Sequence, residues 1–409
     1  MRYTQVFPKT KREAPKDAVA VNHKLLVRGG YIDQLMTGSW TLLPLGWRVV
    51  TKINNIIREE LDAIGCLEML MPLMHPKEIW NETGRWDGAD AIMYKIQDIN
   101  SKKQYALSFT HEEIVMDLLR KHISSYKDLP VAIYHFSTKF RNEARPQGGI
   151  LRGREFLMKD LYSAHTTNED MKQFYEKVSQ AYVKVFERIG FEVYVTEAAG
   201  GVFTENKTRE FQVVAEAGED TTFICDSCRW CANKEIFQDT NSKIQKCEKC
   251  GNEMRSERTI EVGNIFPFGD KKYAEMMKVG FTDKDGVKKL VHFASYGIGV
   301  SRVMGTAVEV WNDGKGIIWP EAIAPFRAHL VGLKDSTDIY KRLTEAGIEV
   351  LYDDTNRGAG EKFADADLLG MPVRLVVSER LGDKLEYKKR NEDKAEILSF
   401  EEILTRLKG

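Results

Sequence analysis

The 409-residue sequence carries almost no net charge, with 60 basic against 61 acidic side chains and a formal balance of -1. That excludes a global basic signature of nucleic-acid binding, although a local basic surface is enough to hold phosphates. There is no apolar run long enough to cross a bilayer. The opening stretch Met1–Lys16 is charged and lacks the apolar core of a signal peptide. The expectation is a cytoplasmic enzyme with no membrane partner. Repeats and low-complexity tracts are absent. Proline is scarce, 11 residues in all, and Pro320 and Pro325 mark the Trp319–Phe326 stretch as a linker. Cysteine is scarce too, with six residues, and disulfides are disfavoured in a reducing cytosol. What remains, 43% hydrophobic and 30% charged, is a globular composition long enough for two or three domains.

The cysteines are unevenly placed. Cys66 stands alone and reads as a small buried hydrophobe. Cys225, Cys228, Cys247 and Cys250 form two C-x-x-C pairs whose separation matches a zinc ribbon, each pair aiming two thiolates at one ion. A structural Zn²⁺ with four ligands is expected, with no open position for catalysis. Cys231 extends the first pair to C-x-x-C-x-x-C and could replace either neighbour as ligand.

The segment Ile133–Arg141 is β-rich and continuous, as a buried strand should be. It runs into Asn142-Glu143, a glycine-bearing loop as far as Gly153, and the return Arg154-Glu155-Phe156. Alternate side chains of an extended chain share a face, so Arg141 is expected beside Glu143, and Arg152 and Arg154 beside Phe156. Guanidinium groups next to an aromatic plane suit a nucleotide, with fixed charge for phosphates and a flat ring for the base. Upstream lies Thr110-His111-Glu112-Glu113, leading a helical pattern to His122; Thr110 could cap that helix with Glu113 completing a capping box. Downstream, Ser295-Tyr296-Gly297-Ile298-Gly299-Val300-Ser301-Arg302 opens a helix reaching Glu309. A long amphipathic helix is predicted over Asn168–Ile189. Strands outnumber crossover helices, so the sheet should be mostly antiparallel with helices outside it. Gly84–Ala91 reads as a polar loop. Beyond the linker, strands and helices alternate in a compact α/β pattern.

In order and spacing these segments resemble motifs 2 and 3 of class II aminoacyl-tRNA synthetases, with motif 1 in the helix Val49–Ile64 and a strand ending at Pro72. Leu43-Pro44-Leu45-Gly46, Met71-Pro72-Leu73-Met74, Arg152-Gly153-Arg154-Glu155-Phe156 and Lys362-Phe363-Ala364-Asp365-Ala366-Asp367 resemble the bacterial type of prolyl-tRNA synthetase. The resemblance runs from Tyr3 to the C-terminus, with an atypical section near 202–258. It implies an α+β catalytic domain at 1–325 carrying a small Cys-rich insertion at about 225–258, then an α/β anticodon-binding domain at 326–409.

The resemblance further implies a two-step reaction: carboxylate attack of L-proline on the α-phosphate of ATP with Mg²⁺, then transfer to the 3′ end of tRNA(Pro). Neither step needs a protein nucleophile; both need positioning and charge stabilisation. Arg141 would bridge the amino-acid carboxylate and the α-phosphate as the principal catalytic group. Glu143, Arg152 and Phe156 would serve the ATP, with Phe156 stacking on adenine, and Arg302 would contact the γ-phosphate. Thr110, Glu112, Arg141 and Asn264 would bind proline, while His111 is read as structural. Motif 1 implies a homodimer. Only the short Cys-rich section separates motifs 2 and 3, so no editing domain is expected.

Three positions depart from the family pattern: the Glu205–Thr208 expansion followed by Arg209 in place of histidine, Asn264 in place of histidine, and the Asp353-Asp354-Thr355-Asn356-Arg357 run. The alternatives are a threonyl or glycyl enzyme of the same subclass, or a non-catalytic tRNA-binding paralogue. Retention of Arg141, Arg152 and Arg302 argues against the last.

Overall fold

A computed structural model of the chain describes residues 1–200, 207–237 and 245–408. It resolves into two compact units, one formed by 36–39 and 54–306, the other by 1–35, 40–53 and 307–409.

The first unit is organised by a ten-stranded sheet. Its strands are β1 (Leu67–Glu68), β2 (Val131–Phe140), β3 (Glu155–His165), β4 (Tyr194–Ala198), β5 (Thr208–Val214), β6 (Asp220–Ile224), β7 (Cys231–Asn233), β8 (Gln245–Lys246), β9 (Glu253–Gly269) and β10 (His292–Ile298). The order across the sheet is β5-β4-β7-β6-β9-β10-β3-β2-β1, with β8 on β9. As expected, the pairing is mostly antiparallel; β1 with β2 and β4 with β7 are the parallel exceptions. The central pair β2–β3 keeps an unbroken register from Val131↔Ala164 to Phe140↔Glu155. Three helices matter to the site: α1 (Glu112–His122), α2 (Asn168–Ile189) and α3 (Val300–Val310). Helix α2 buries Met171, Tyr175, Val178, Tyr182, Val185 and Phe186, the periodic apolar stripe that predicted it. Its entry is capped by the Thr167 hydroxyl accepting from Asp170 N, and Gly190 ends it in the left-handed conformation.

Several local expectations shift. The strand expected to end at Pro72 is limited to Leu67–Glu68, and Gly84–Ala91 contains a short helix, Arg85–Gly88. The motif 1 helix begins at Pro44 rather than Val49; the missing N–H of proline costs nothing in a first turn, where that donor has no partner anyway. Part of the Glu205–Thr208 expansion lies outside the described residues. Arg209, which follows it, points away from the sheet's open face and binds Glu176 of α2 through two bonds of 2.7 and 2.6 Å.

The second unit contains a five-stranded sheet of β11 (Ala328–Gly332), β12 (Val350–Asp353), β13 (Val373–Val377), β14 (Leu385–Lys389) and β15 (Glu396–Leu398). Its order is β12-β11-β13-β14-β15. The three strands β12, β11 and β13 are parallel, and β14 and β15 close the edge antiparallel. The N-terminal residues are tied to it: Tyr3 Oη donates to Asp365 at 3.0 Å, and Thr4 N donates to Asp354 at 3.0 Å. Within the unusual Asp353–Arg357 run, Arg357 bonds Asp353 and Asp365 at 3.0 and 2.5 Å. Among the described residues, no helix is long and apolar enough to cross a membrane.

Candidate active site

Strand β2 stops at Phe140 and β3 starts at Glu155, so Arg141, Glu143, Arg152 and Arg154 stand in the connection rather than on ladder positions. Face-sharing by strand parity therefore does not govern them. Arg141 N donates to Arg154 O at 2.8 Å and fixes the neck of the connection. Arg152 binds Glu143 at 2.9 Å and Glu219 at 2.7 Å. Arg154 turns the other way, donating to Glu143 O and Thr37 O at 3.0 and 3.2 Å. Arg152 and Phe156 thus line one cavity, and Arg154 does not.

That cavity, about 290 Å³, is lined by Arg141, Glu143, Arg152, Phe156, Asp220, Glu261 and Arg302 among others. The Arg141 guanidinium lies over the Phe156 ring, 5.2 Å from its centroid. Arg141 Nε is buried with no hydrogen-bond partner among the described residues. Burial, and then the Arg302 guanidinium, pull the Arg141 pKa below the ordinary arginine value. Two guanidinium groups facing one cavity create a site that an anion relieves. Arg302 lies in the first turn of α3, where its Nε donates to Leu151 O at 2.8 Å and its Nη1 to Glu261 Oε2 at 3.0 Å. The helix comes close to the loop because residue 305 is glycine: a Cβ there would meet Ile150 and Leu151 at 2.9 Å.

A second cavity of about 340 Å³ adjoins the first. Thr110, Glu112, Glu210, Glu235 and Asn264 supply its polar wall, and Met158, Val262 and Phe266 an apolar one. The two cavities share Arg141, Glu261 and Arg302. Thr110 is not the helix cap: His111 occupies that position without a capping bond, and the Thr110 hydroxyl donates to Glu112 at 2.5 Å. Glu112 is held from behind by Arg85 at 3.2 Å, which also bonds Glu113 at 3.1 Å and Tyr273 Oη at 2.9 Å. Arg85 belongs to the segment read as a polar loop, and its spacing carries no signal that it is buried. Burial raises the Glu113 pKa, partly offset by Arg85.

Asn264 does line the cavity. Its Nδ2 donates to Glu261 at 2.9 Å and to Glu210 at 3.4 Å, so one amide separates two carboxylates. Glu210 is opposite Asn264 in the β5–β9 register and also accepts from Gln212 at 2.8 Å and Asn233 at 3.0 Å. Burial, then the nearby Glu261 charge, push the Glu210 pKa up to about 8. Glu210, Glu261 and Asn233 belong to no motif of the sequence; the strand alternation that puts Arg209 and Glu210 on opposite faces is the available signal.

Beneath this floor is a buried polar cluster. Lys139 Nζ lies 2.8 Å from His111 Nδ1, 3.3 Å from His135 Nε2 and 2.7 Å from Ser137 Oγ, and pairs with Asp160. His111 also reaches Pro72 O at 2.9 Å, a structural position.

The four cysteines 225, 228, 247 and 250 converge, with their sulfurs all within 4.8 Å of one another. Cys225–Cys250 and Cys228–Cys247 are each 3.5 Å apart, well beyond a disulfide bond of about 2.0 Å and near the edge of about 3.8 Å that a tetrahedral zinc at about 2.3 Å requires. Both knuckles have the same backbone: Cys225 N to Trp230 O and Arg229 N to Cys225 O, then Cys247 N to Asn252 O and Gly251 N to Cys247 O. Arg229 and Gly251, at the same place in each, have φ of 60° and 76°. Cys231 is not part of this set; it is buried on β7 and its thiol donates to Arg229 O at 3.5 Å.

Residues 94–311 match the tRNA synthetase class II core domain (G, H, P, S and T), and residues 322–409 match an anticodon binding domain. The chain is 37% identical over 406 residues to the proline--tRNA ligase of Sulfurimonas denitrificans, covering 93% of each. It is 37% identical over 421 residues to that of the Wolbachia of Brugia malayi, covering 99% of each. Among solved structures, Giardia lamblia prolyl-tRNA synthetase in complex with prolyl-adenylate aligns with a TM-score of 0.77 at 18% identity, over 94% of this chain and 75% of that one. The chain belongs to the proline--tRNA ligase family of class II aminoacyl-tRNA synthetases.

Proposed function

We propose that the two adjoining cavities bind ATP and L-proline, and that the chain activates proline and charges tRNA(Pro), as its family membership implies. The observation that carries this reading is the shared wall of Arg141, Glu261 and Arg302. A carboxylate in one cavity and a phosphate in the other meet only there. Arg141 serves both anions, stabilising the charge that grows on the α-phosphate as the carboxylate attacks. Glu143 and Arg152 order the nucleotide, Phe156 offers the adenine a ring, and Arg302 takes the γ-phosphate. Glu112, oriented by Thr110 and Arg85, faces the secondary ammonium of proline, and Asn264 spaces the carboxylates on the opposite side. An incoming cation favours the ionised form of Glu210, whose empty-pocket pKa is raised. Mg²⁺ would neutralise the triphosphate when bound.

In the same reading the catalytic domain is 1–325 and the anticodon-binding domain 326–409, the enzyme is cytoplasmic, and the four-cysteine set holds one structural Zn²⁺. A homodimer through motif 1 is supported by the edge position of β1 and by Leu67, Leu70 and Met74, which are 67%, 79% and 55% exposed.

ATP–pyrophosphate exchange with proline, threonine, glycine and alanine tests the assignment. Proline should dominate. Threonine- or glycine-dependent exchange at the proline rate would replace the substrate assignment, and no exchange with any of them would point to a non-catalytic role. Alanine should be activated at a detectable rate, since a few methylenes discriminate by only ~1–3 kcal/mol. With only the Cys-rich section between motifs 2 and 3, preformed alanyl-tRNA(Pro) should persist in the presence of the enzyme. Deacylation well above the enzyme-free rate would reveal an editing activity.

A further inference from the structure

The first cysteine knuckle does not end at its ligands. From Cys225 the chain turns through Cys228 and re-enters the sheet as β7, which is only three residues long, Cys231–Asn233. So short a strand has few ladder bonds of its own, and its position depends on what holds its two ends. At the near end is the knuckle, with Trp230 Nε1 donating to Glu197 at 3.1 Å. At the far end is Asn233, whose side chain makes two bonds. Its Nδ2 donates to Glu210 at 3.0 Å, and its Oδ1 accepts from Glu235 N at 3.3 Å. Glu235 in turn accepts from Ala199 N at 2.8 Å. Glu210 and Glu235 both line the second cavity. One buried amide therefore fixes the Glu210 carboxylate directly and holds the backbone of Glu235, which carries a second carboxylate of the pocket, and that amide is the terminus of a strand launched by the cysteine site.

We propose that occupancy of the four-cysteine site by a divalent metal controls the affinity of the amino-acid pocket, with Asn233 as the positioning residue that connects them. The inference rests on the zinc reading given above. With the metal bound, both knuckles are locked and β7 is held in register against β4 and β6. Without it, each knuckle retains only its own backbone bonds, and β7 loses its near anchor. The displacement reaches Asn233 first, and through it Glu210 and Glu235. The nucleotide cavity is less directly tied to β7: Arg141 and Arg152 are carried by the β2–β3 connection and Phe156 by β3, on a long and unbroken ladder, while Glu219 and Asp220 reach that cavity from the start of β6.

The test is ATP–pyrophosphate exchange on the full chain, metal-loaded, stripped by chelation, and reloaded with Zn²⁺, with metal content and thermal unfolding measured on each sample. Stripping is expected to raise KM for proline about tenfold or more, to change KM for ATP by less than about twofold, and to be reversed by Zn²⁺. Asn233→Ala is expected to raise KM for proline similarly while retaining its zinc, and Asn233→Asp, which keeps the acceptor for Glu235 N but not the donor to Glu210, should do the same. Stripped protein with KM for proline unchanged overturns the coupling while leaving the metal site intact. Protein that binds no Zn²⁺ at all overturns the metal reading itself, and the coupling with it. If stripping unfolds the protein, Asn233→Ala decides: full zinc with an unchanged KM for proline, or an equal rise in both KM values, rejects the relay.

Discussion

Among the described residues of the first unit, two clusters bring three or more side chains of metal-ligand type within 4.8 Å of one another, and they are opposites. Cys225, Cys228, Cys247 and Cys250 bring four sulfurs together, and among the described residues no cationic side chain is bonded to them. His111, His135 and Asp160 converge just as tightly, but the Lys139 ammonium already lies among them. In that second cluster, burial alone would raise the Asp160 pKa, yet Lys139 and His135 hold it well below the usual carboxylate range. The lesson is that convergence of ligands does not make a metal site. What matters is whether the protein supplies its own positive charge. A buried carboxylate paired with an ammonium is satisfied; the four-cysteine set has no such partner among the described residues, the arrangement that the proposed divalent ion would complete.

The largest effect expected from breaking this contrast is Asp160→Asn. It leaves Lys139 buried without its counter-charge, a loss of about 3–5 kcal/mol, and thermal unfolding should shift down by roughly 10 °C. A shift within a degree or two would mean that the cluster is not the self-neutralised pair described. Next in size is Arg141→Ala, two residues beyond Lys139 on the same strand exit. With the fold intact, kcat/KM for proline-dependent exchange should fall about 100-fold or more, equivalent to about 2.7 kcal/mol. Near-normal exchange would remove Arg141 from its role.

Lys159 sharpens the comparison from the other side of β3. Its ammonium is bonded to the Tyr182 hydroxyl and the Tyr296 carbonyl rather than to a carboxylate, and burial pulls its pKa down to about 7. The unfolded chain binds its proton up to about 10.5. Between pH 7 and 10.5 the unfolded state therefore holds more protons, and stability from this group rises with pH. Below pH 7 both states are protonated and the cost is constant. Denaturation of Lys159→Met across that window should lose this slope; an unchanged slope would mean that Lys159 titrates as an ordinary lysine. The smallest effect belongs to Cys231→Ser, which should retain about one zinc per chain by metal analysis because its sulfur lies outside the ligand set. Loss of the metal would return Cys231 to that set.

Much of the fold was legible because the relevant patterns are local. Helix α2 was read with its observed ends from a 22-residue apolar stripe, and α1 likewise from Glu112 to His122. The alternation of strands and helices expected beyond the linker is likewise present, in the five-stranded sheet of the second unit. Positions where no periodicity operates fared worse. Arg141, Arg152 and Arg154 were assigned faces by strand parity, but the strands end before reaching them, and backbone bonds in the connection decide that Arg154 turns away. Thr110 has the composition of a cap, yet the helix starts one residue too late for it, with His111 at the cap position, and the Thr110 hydroxyl donates to Glu112.

The sequence by itself determined the family, the order of the elements and the two C-x-x-C pairs, because each is written in residue type and spacing. Tertiary structure alone decided that Arg85 stands behind Glu112, that Glu210 and Glu261 share the amide of Asn264, and that Asn233 joins the cysteine knuckle to the second cavity. Those are contacts between segments remote in the chain. Their energies depend on burial and on which charge faces which, and neither exists until the sheet has closed.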